Sequence, residues 1–391
     1  MNHKSFVIIG GGIIGSGIAR EILMRKLGRV IILEKEDHLG EHASGRNSGV
    51  IHSGINQSPG SIKAKMCLEG SKRLRQYCRE HHVPMNECGT IVVAQNEQEE
   101  LVLAKLLEMG ASVGVENLRM IDQKELNRLE PSVIGKKALV SPSGAVVHSL
   151  SLLEKVAAEV KSMNGRYVLS TRAIQIKENR VKTNHGEWEA DHIVNAAGLY
   201  SDKIAHMMGV GLDYTIIPFR GEYMDVANVH LNTMVYQAPN LKYPFLSVHL
   251  TKMIDGRVLA GPTATLSLGR ESYKKEIKLN ETLEMLAGST FWRMVSSGEF
   301  RNLAFHNARI SLFKHEFLKE IQKLCPSVSL KDIASYKSGI RAQMVNRQGK
   351  MLDDIVVEFR EKSTHILNAV SPGMTSSLAF AEYLVNKIEK N

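Results

Sequence analysis

The stretch Phe6-Val7-Ile8-Ile9-Gly10-Gly11-Gly12-Ile13-Ile14-Gly15, continued to Val30-Ile31-Ile32-Leu33-Glu34-Lys35, decides the fold. Two short apolar runs read as buried strands. The span between them carries apolar residues at helical spacing (Ile14, Ile18, Ile22, Leu23, Leu27). Strand, Gly-x-Gly-x-x-Gly, helix, strand and acid in that order make a dinucleotide-binding βαβ unit. Gly10 permits the tight turn, Gly12 lets backbone approach a pyrophosphate, and Gly15 lets the helix pack close to the sheet. The helix N-terminus offers N–H groups and positive dipole to phosphates. Glu34 suits ribose hydroxyls and disfavours a 2′-phosphate, which argues against NADP.

The 391 residues exceed what one simple core organises, so two domains are expected. Hydrophobic content of 43% and charged content of 23% are ordinary for a globular chain. No apolar run reaches the roughly 18 residues of a membrane span, and the first strand starts too early for a leader peptide. The four cysteines (Cys67, Cys78, Cys88, Cys325) lack CxxC or metal spacing and read as reduced thiols; no metal site and a cytoplasmic location are expected. A formal charge of +9 favours anionic partners. The basic residues are scattered, which argues against nucleic acid and leaves an acidic substrate or an anionic membrane surface, such as the inner face of the cell membrane.

Along the chain, Ala43 to Gly54 is a long small-residue loop of the kind that binds ligands. Helices are expected at 61–82 (inward residues Ile62, Cys67, Leu68, Leu74, Tyr77, Cys78), 97–109, 122–130 and 150–161. The apolar strand at 191–195 runs into Ala196-Ala197-Gly198, as where a strand end abuts a ligand. From Tyr214 to about Ser335 the pattern is β-rich, with one charged helical stretch at 277–291. A second strand–loop–helix unit closes the chain, its last helix expected at 378–388 after Ser371-Pro372-Gly373-Met374-Thr375. The expected architecture is α/β: a discontinuous Rossmann-type domain from 1–83, 140–212 and 336–391, with a β-rich α+β substrate domain from 84–139 and 213–335.

The glycine motif with Glu34, the Asn195-Ala196-Ala197-Gly198 strand end and the Ser371-to-Thr375 loop together resemble the FAD-dependent D-amino-acid-oxidase (DAO) superfamily. Narrower segments resemble its L-2-hydroxyglutarate oxidase/dehydrogenase group. They are Asn47 to Ile55, Pro59 to Lys65, Tyr243 to Thr251, Gly261-Pro262-Thr263-Ala264 and Gly339-Ile340-Arg341-Ala342-Gln343. The paired tyrosines usual after Ser-Gly-Ile are Asn56 and Gln57 here.

The resemblance implies FAD as cofactor and oxidation of a dicarboxylate hydroxy acid, with hydride passing from C2 to flavin N5 and electrons leaving to oxygen or a membrane quinone. A same-fold enzyme acting on L-glycerol 3-phosphate or an amino acid is the alternative. His52 and His249 are the expected acid–base residues and Arg341 the carboxylate clamp. Arg220, Tyr223, Tyr243 and Gln57 are expected around the substrate. The cofactor set is Gly10, Gly12, Ile13, Ile14, Gly15, Glu34, Lys35, Ser44, Asn47, Ser48, Gly49, Val50, Ala173, Ala197, Gly198, Gly373, Met374 and Thr375. Of these, Ala173 is expected to present backbone to the adenine, and the last three to stabilise an anionic reduced flavin through the following helix.

Overall fold

The computed structural model describes residues 4–240, 248–369 and 371–390. The first strand, Lys4–Ile9, pairs in parallel with Gly28–Leu33 on one side and His192–Asn195 on the other. Arg166–Val168 extends the sheet beyond Gly28–Leu33, Ser363–Asn368 joins beside His192–Asn195, and antiparallel Val356–Arg360 closes that edge. Alternation along the first strand explains the layers on either face. Phe6 and Ile8 pack with Ile18 and Ile22 of the helix Ile13–Met24 and with Phe380 and Leu384 of the helix Gly373–Ile388. Val7 and Ile9 instead pack with Ile176 and Val181 of a three-stranded antiparallel meander, 173–189.

Glycine is required at the turn off this strand. Gly10 has φ +111°, and a Cβ there would lie 2.4 Å from the Ala196 carbonyl oxygen. A Cβ on Gly15 would lie 2.0 Å from the Gly10 carbonyl oxygen, so the helix reaches the sheet only without a side chain at that position.

The second, nine-stranded sheet is antiparallel except where Met234–Gln237 pairs in parallel with Thr90–Ala94. Its longest ladder joins Tyr214–Val226 to Ile333–Asn346, with a bulge between Glu222 and Met224. Phe317, Leu318 and Ile321 of the helix Lys314–Gln322 cover one face by packing on Val235, Leu250, Val258 and Ala260. The expected boundary at 336 cuts the strand Ile333–Asn346, whose pairing lies in this second sheet, and the boundary at 139 likewise cuts Lys137–Ser141.

Three local expectations are corrected. The 277–335 region holds four helices rather than one: Leu279–Ala287, Ser289–Ser296, Gly298–Leu312 and Lys314–Gln322. Their apolar stripes are broken by charge, and Ser297 restarts the chain by accepting the Phe300 N–H. The last helix begins at Gly373, so the Gly-Met-Thr loop is its first turn. In the helix Ile62–Glu80 the expected inward residues Cys67, Leu74, Tyr77 and Cys78 are buried and Leu68 is half-buried, but Ile62 is exposed and Lys63 takes its place on the buried side.

Two buried imidazoles lie in the parallel sheet. His192 contacts the Thr364 hydroxyl at 2.9 Å and His365 contacts that of Ser363 at 2.9 Å. Burial pushes both down to about 4 from the usual 6.5. The unfolded chain therefore binds more protons between those values, so their contribution is complete above about pH 6.5 and lost as pH falls toward 4. Denaturant unfolding of His365→Gln should show a pH dependence in that window shallower by about 1.4 kcal/mol per pH unit; an unchanged slope would contradict a buried neutral His365.

Candidate active site

The parallel strands end at one long cavity of about 970 Å3, bordered by Ile9, Leu33, Ala196 and Leu367. This is the carboxyl edge of the sheet, where ligands of open α/β folds bind. The volume is at the upper end of the roughly 300–1,000 Å3 usual for small-molecule sites. At one end, Glu34 Oε2 accepts the Gly11 N–H at 2.8 Å and Oε1 accepts that of Glu36 at 3.1 Å. The carboxylate is thereby held at the wall with lone pairs to spare. Lys35, Thr171, Arg172 and Ala173 line the same end.

Six described helices have twelve or more residues. Four carry a side-chain N-cap, from Ser61, Asn96, His148 and Ser297. The other two, Ile13–Met24 and Gly373–Ile388, have none and no acidic residue in the first turn, and both begin at the cavity wall. Ser44 Oγ accepts the Ile13 N–H at 2.9 Å. A Cβ on Gly373 would meet no atom within 4 Å, so this helix end opens onto free space. Two positive helix ends without an N-cap side chain, a small-residue wall and a ribose-type carboxylate together fit a dinucleotide bearing a ring that becomes anionic.

Between these ends, Ser48 and Val50 line the cavity, as do Ile14, Asn47, Ala197, Gly198 and Met374. Gly49 turns at φ +71° behind the wall, its N–H held by Asn47 Oδ1 at 2.8 Å, and Gly15 lies beneath the glycine turn; neither lines the cavity. Thr375 Oγ1 accepts the His52 N–H at 3.1 Å and bonds the Val50 carbonyl at 3.3 Å, tying the small-residue loop to the last helix.

His52, His249, Arg341, Tyr223 and Gln57 all reach the cavity. Burial first, and then the Lys63 charge, push the His52 imidazole down to about 4, leaving it neutral at physiological pH. Burial pushes the Arg341 guanidinium down to about 10, against the pull of Asp353, and it remains charged. His249 is buried, opposite Gly261 in the sheet, with its ring stacked on Tyr236 at 4.2 Å. Tyr223 sits in the bulge of its strand and bonds Ser48, and burial raises its phenol to about 12.

Arg220 is not part of the cavity wall. Strand alternation turns Phe219, Gly221 and Tyr223 to the cavity, while Arg220 pairs with Glu222 at 3.5 Å away from it. Tyr243 lies outside the described residues. Residue typing overlooked Lys63 and Asp353, which line the cavity in a 2.8 Å ion pair. A lysine at a core-facing position of an amphipathic helix was the available signal for the first. Among the described residues no helix is long and apolar enough to cross a membrane.

The DAO model, described as FAD dependent oxidoreductase, matches residues 5–387. The chain is 34% identical over 400 residues to L-2-hydroxyglutarate dehydrogenase of Escherichia coli K12, covering 98% of this chain and 93% of that one. It is 36% identical over 383 residues to the Indibacter alkaliphilus enzyme of the same name, covering 95% and 96%. Among solved structures, L-α-glycerophosphate oxidase from Mycoplasma pneumoniae, with FAD bound, superposes with a TM-score of 0.80 at 24% identity, covering 100% of this chain and 95% of that one. Glycine oxidase from Geobacillus kaustophilus gives 0.76 at 20%, covering 99% and 95%; both show the shared fold. With the glycine turn, the two uncapped helix ends and a family match over nearly its whole length, the chain belongs to the DAO family of FAD-dependent oxidoreductases.

Proposed function

We propose that the protein oxidises L-2-hydroxyglutarate to 2-oxoglutarate. The geometry supports oxidation of a small carboxylate, because a neutral imidazole and a half-buried guanidinium border the same cavity as the dinucleotide-type end. The observation that carries the substrate is the likeness, over nearly the full length, to enzymes named for it.

Glu34 and the Gly10–Gly12 turn hold the ADP half of FAD, while Ser44, Ser48, Val50 and the Gly373–Thr375 turn hold the flavin half. Bound FAD supplies a two-electron oxidant. Arg341 takes the C1 carboxylate in a two-toothed pairing, strengthened by burial. The unprotonated ring nitrogen of His52 accepts the C2 hydroxyl proton, a role for which a base kept neutral is suited. His249, its ring oriented by the Tyr236 stack, borders the same compartment and donates to the substrate oxygens. In domain terms, 1–83, 142–212 and the chain beyond 346 serve the cofactor; 84–141 and 213–346 shape the substrate side, following the ladders of Lys137–Ser141 and Ile333–Asn346.

The acceptor is oxygen or a quinone at a membrane surface facing the cytoplasm. What supports membrane contact is the concentration of exposed apolar side chains between 277 and 313, including Ile277, Leu279, Leu283, Trp292, Phe305, Leu312 and Phe313. Exposed Lys274, Lys275, Lys278 and Lys314 accompany them. Apolar residues among cations are the composition of an interfacial anchor.

Three outcomes are expected. In anaerobic mixing, L-2-hydroxyglutarate should bleach the oxidised flavin band; bleaching by L-glycerol 3-phosphate or an amino acid instead would overturn the substrate. The second-order reduction constant should stay level from neutral pH down to about 5 and fall near pH 4, while His52→Ala keeps FAD and reduces it about 10²–10⁴-fold more slowly. An acid limb near 6.5, or unchanged kinetics in the variant, would remove His52 as the base. The protein should sediment with vesicles containing anionic phospholipid, and Trp292→Ser/Phe305→Ser should not; equal behaviour of the two would discard membrane contact through these helices.

A further inference from the structure

Of the cations lining the cavity, three are already matched to side-chain acids near the Glu34 end: Lys35 to Glu271 at 2.5 Å, Arg46 to Glu41 at 2.5 Å and Lys203 to Glu284 at 2.7 Å. Lys63 differs in how its charge is answered. Its side chain is only 8% exposed, yet its carboxylate partner, Asp353, is 55% exposed. A buried ammonium is thus neutralised by a largely exposed carboxylate on the same cavity wall, a group that water already solvates and that can give way at little cost. Asp353 also acts on Arg341, and Lys63 acts on His52, so the two cations stand at the same compartment as the base. On the wall of the same cavity the Gln57 amide is buried, and its Oε1 has no hydrogen-bond partner, as in a pocket that awaits a polar ligand.

We infer that Lys63 is the second carboxylate-binding cation of this site, taking the distal carboxylate of a dicarboxylate substrate while Arg341 takes the one next to the reacting carbon. The inference rests on the proposed function and adds how a diacid is told from a monoacid. Asp353 neutralises Lys63 in the free protein, and the distal carboxylate takes over that ion pair on binding. A neutral chain end would leave the pair in place and gain nothing from it. The backbone holds Lys63 in position, since its N–H donates to Asp354 Oδ1 at 2.9 Å and it occupies the first turn of the helix that Ser61 caps. Selectivity of this kind requires positive charge more than hydrogen-bond detail, so arginine should substitute in part.

The test compares two ligand pairs on the FAD-loaded protein. In anaerobic flavin reduction, the ratio of second-order constants for L-2-hydroxyglutarate over L-2-hydroxypentanoate should fall about 10- to 100-fold in Lys63→Met, the usual value of a charge-assisted hydrogen bond, with partial recovery in Lys63→Arg. In equilibrium titration followed by the flavin spectrum, without turnover, the preference for glutarate over pentanoate should fall by the same factor. An unchanged ratio in both assays, or equal losses for diacid and monoacid, would overturn the inference and leave Lys63 a structural residue. Wild-type protein that L-2-hydroxyglutarate does not reduce would overturn the proposed substrate instead, and the glutarate titration would still decide Lys63.

Discussion

Two helices enter the cavity wall without a cap from their own N-cap side chain, only the Ile13 N–H of the first being taken by Ser44 Oγ, and most of the structure follows from placing their positive ends there. An uncapped helix start leaves N–H groups unsatisfied, which a buried site tolerates only if a ligand supplies the acceptors. Parallel strands deliver both helices to the same sheet edge, one from each terminus of the chain. The small residues of the turn are needed because a side chain at Gly10 would strike the Ala196 backbone of the neighbouring strand end and one at Gly15 would strike the Gly10 backbone. The Thr375 hydroxyl then couples the second helix end to the His52 backbone.

The rest of the site is an exercise in placing charge where water is scarce. His52 stays neutral because burial and a neighbouring ammonium both penalise its protonation. Arg341 stays charged because even a strongly lowered guanidinium lies well above physiological pH. The nine-stranded sheet carries Arg341, His249 and Tyr223 to one face, while its other face is closed by an aliphatic core and the helix Lys314–Gln322. The antiparallel sheet therefore positions the cavity wall that holds Arg341, His249 and Tyr223, and the parallel sheet positions the wall at the glycine turn.

The cofactor half was largely legible in the residues, because glycine spacing, a terminal acid and apolar runs act over short range. Period and register decided where reading by residue type failed. Arg220 is one position out of phase with Phe219 and Tyr223, so alternation carries it away from the cavity. Lys63 lies on the stripe that Cys67 and Leu74 define, although the neighbouring Ile62 looked the better core residue. Asp353 had no local signal, since its role comes from a contact with a helix 290 positions earlier in the chain. The helices Gly298–Leu312 and Lys314–Gln322, beyond the expected stretch at 277–291, were hidden because charged residues interrupt their apolar stripes.

A crystal structure of the FAD-loaded protein with 2-oxoglutarate tests most directly whether one compartment joins the Gly373 helix end, His52 and Arg341 around a small hydroxy acid. The expected density pairs the C1 carboxylate with Arg341 and sets the C2 oxygen within hydrogen-bond reach of His52. Ligand density elsewhere in the cavity, with Arg341 and His52 untouched, would contradict it.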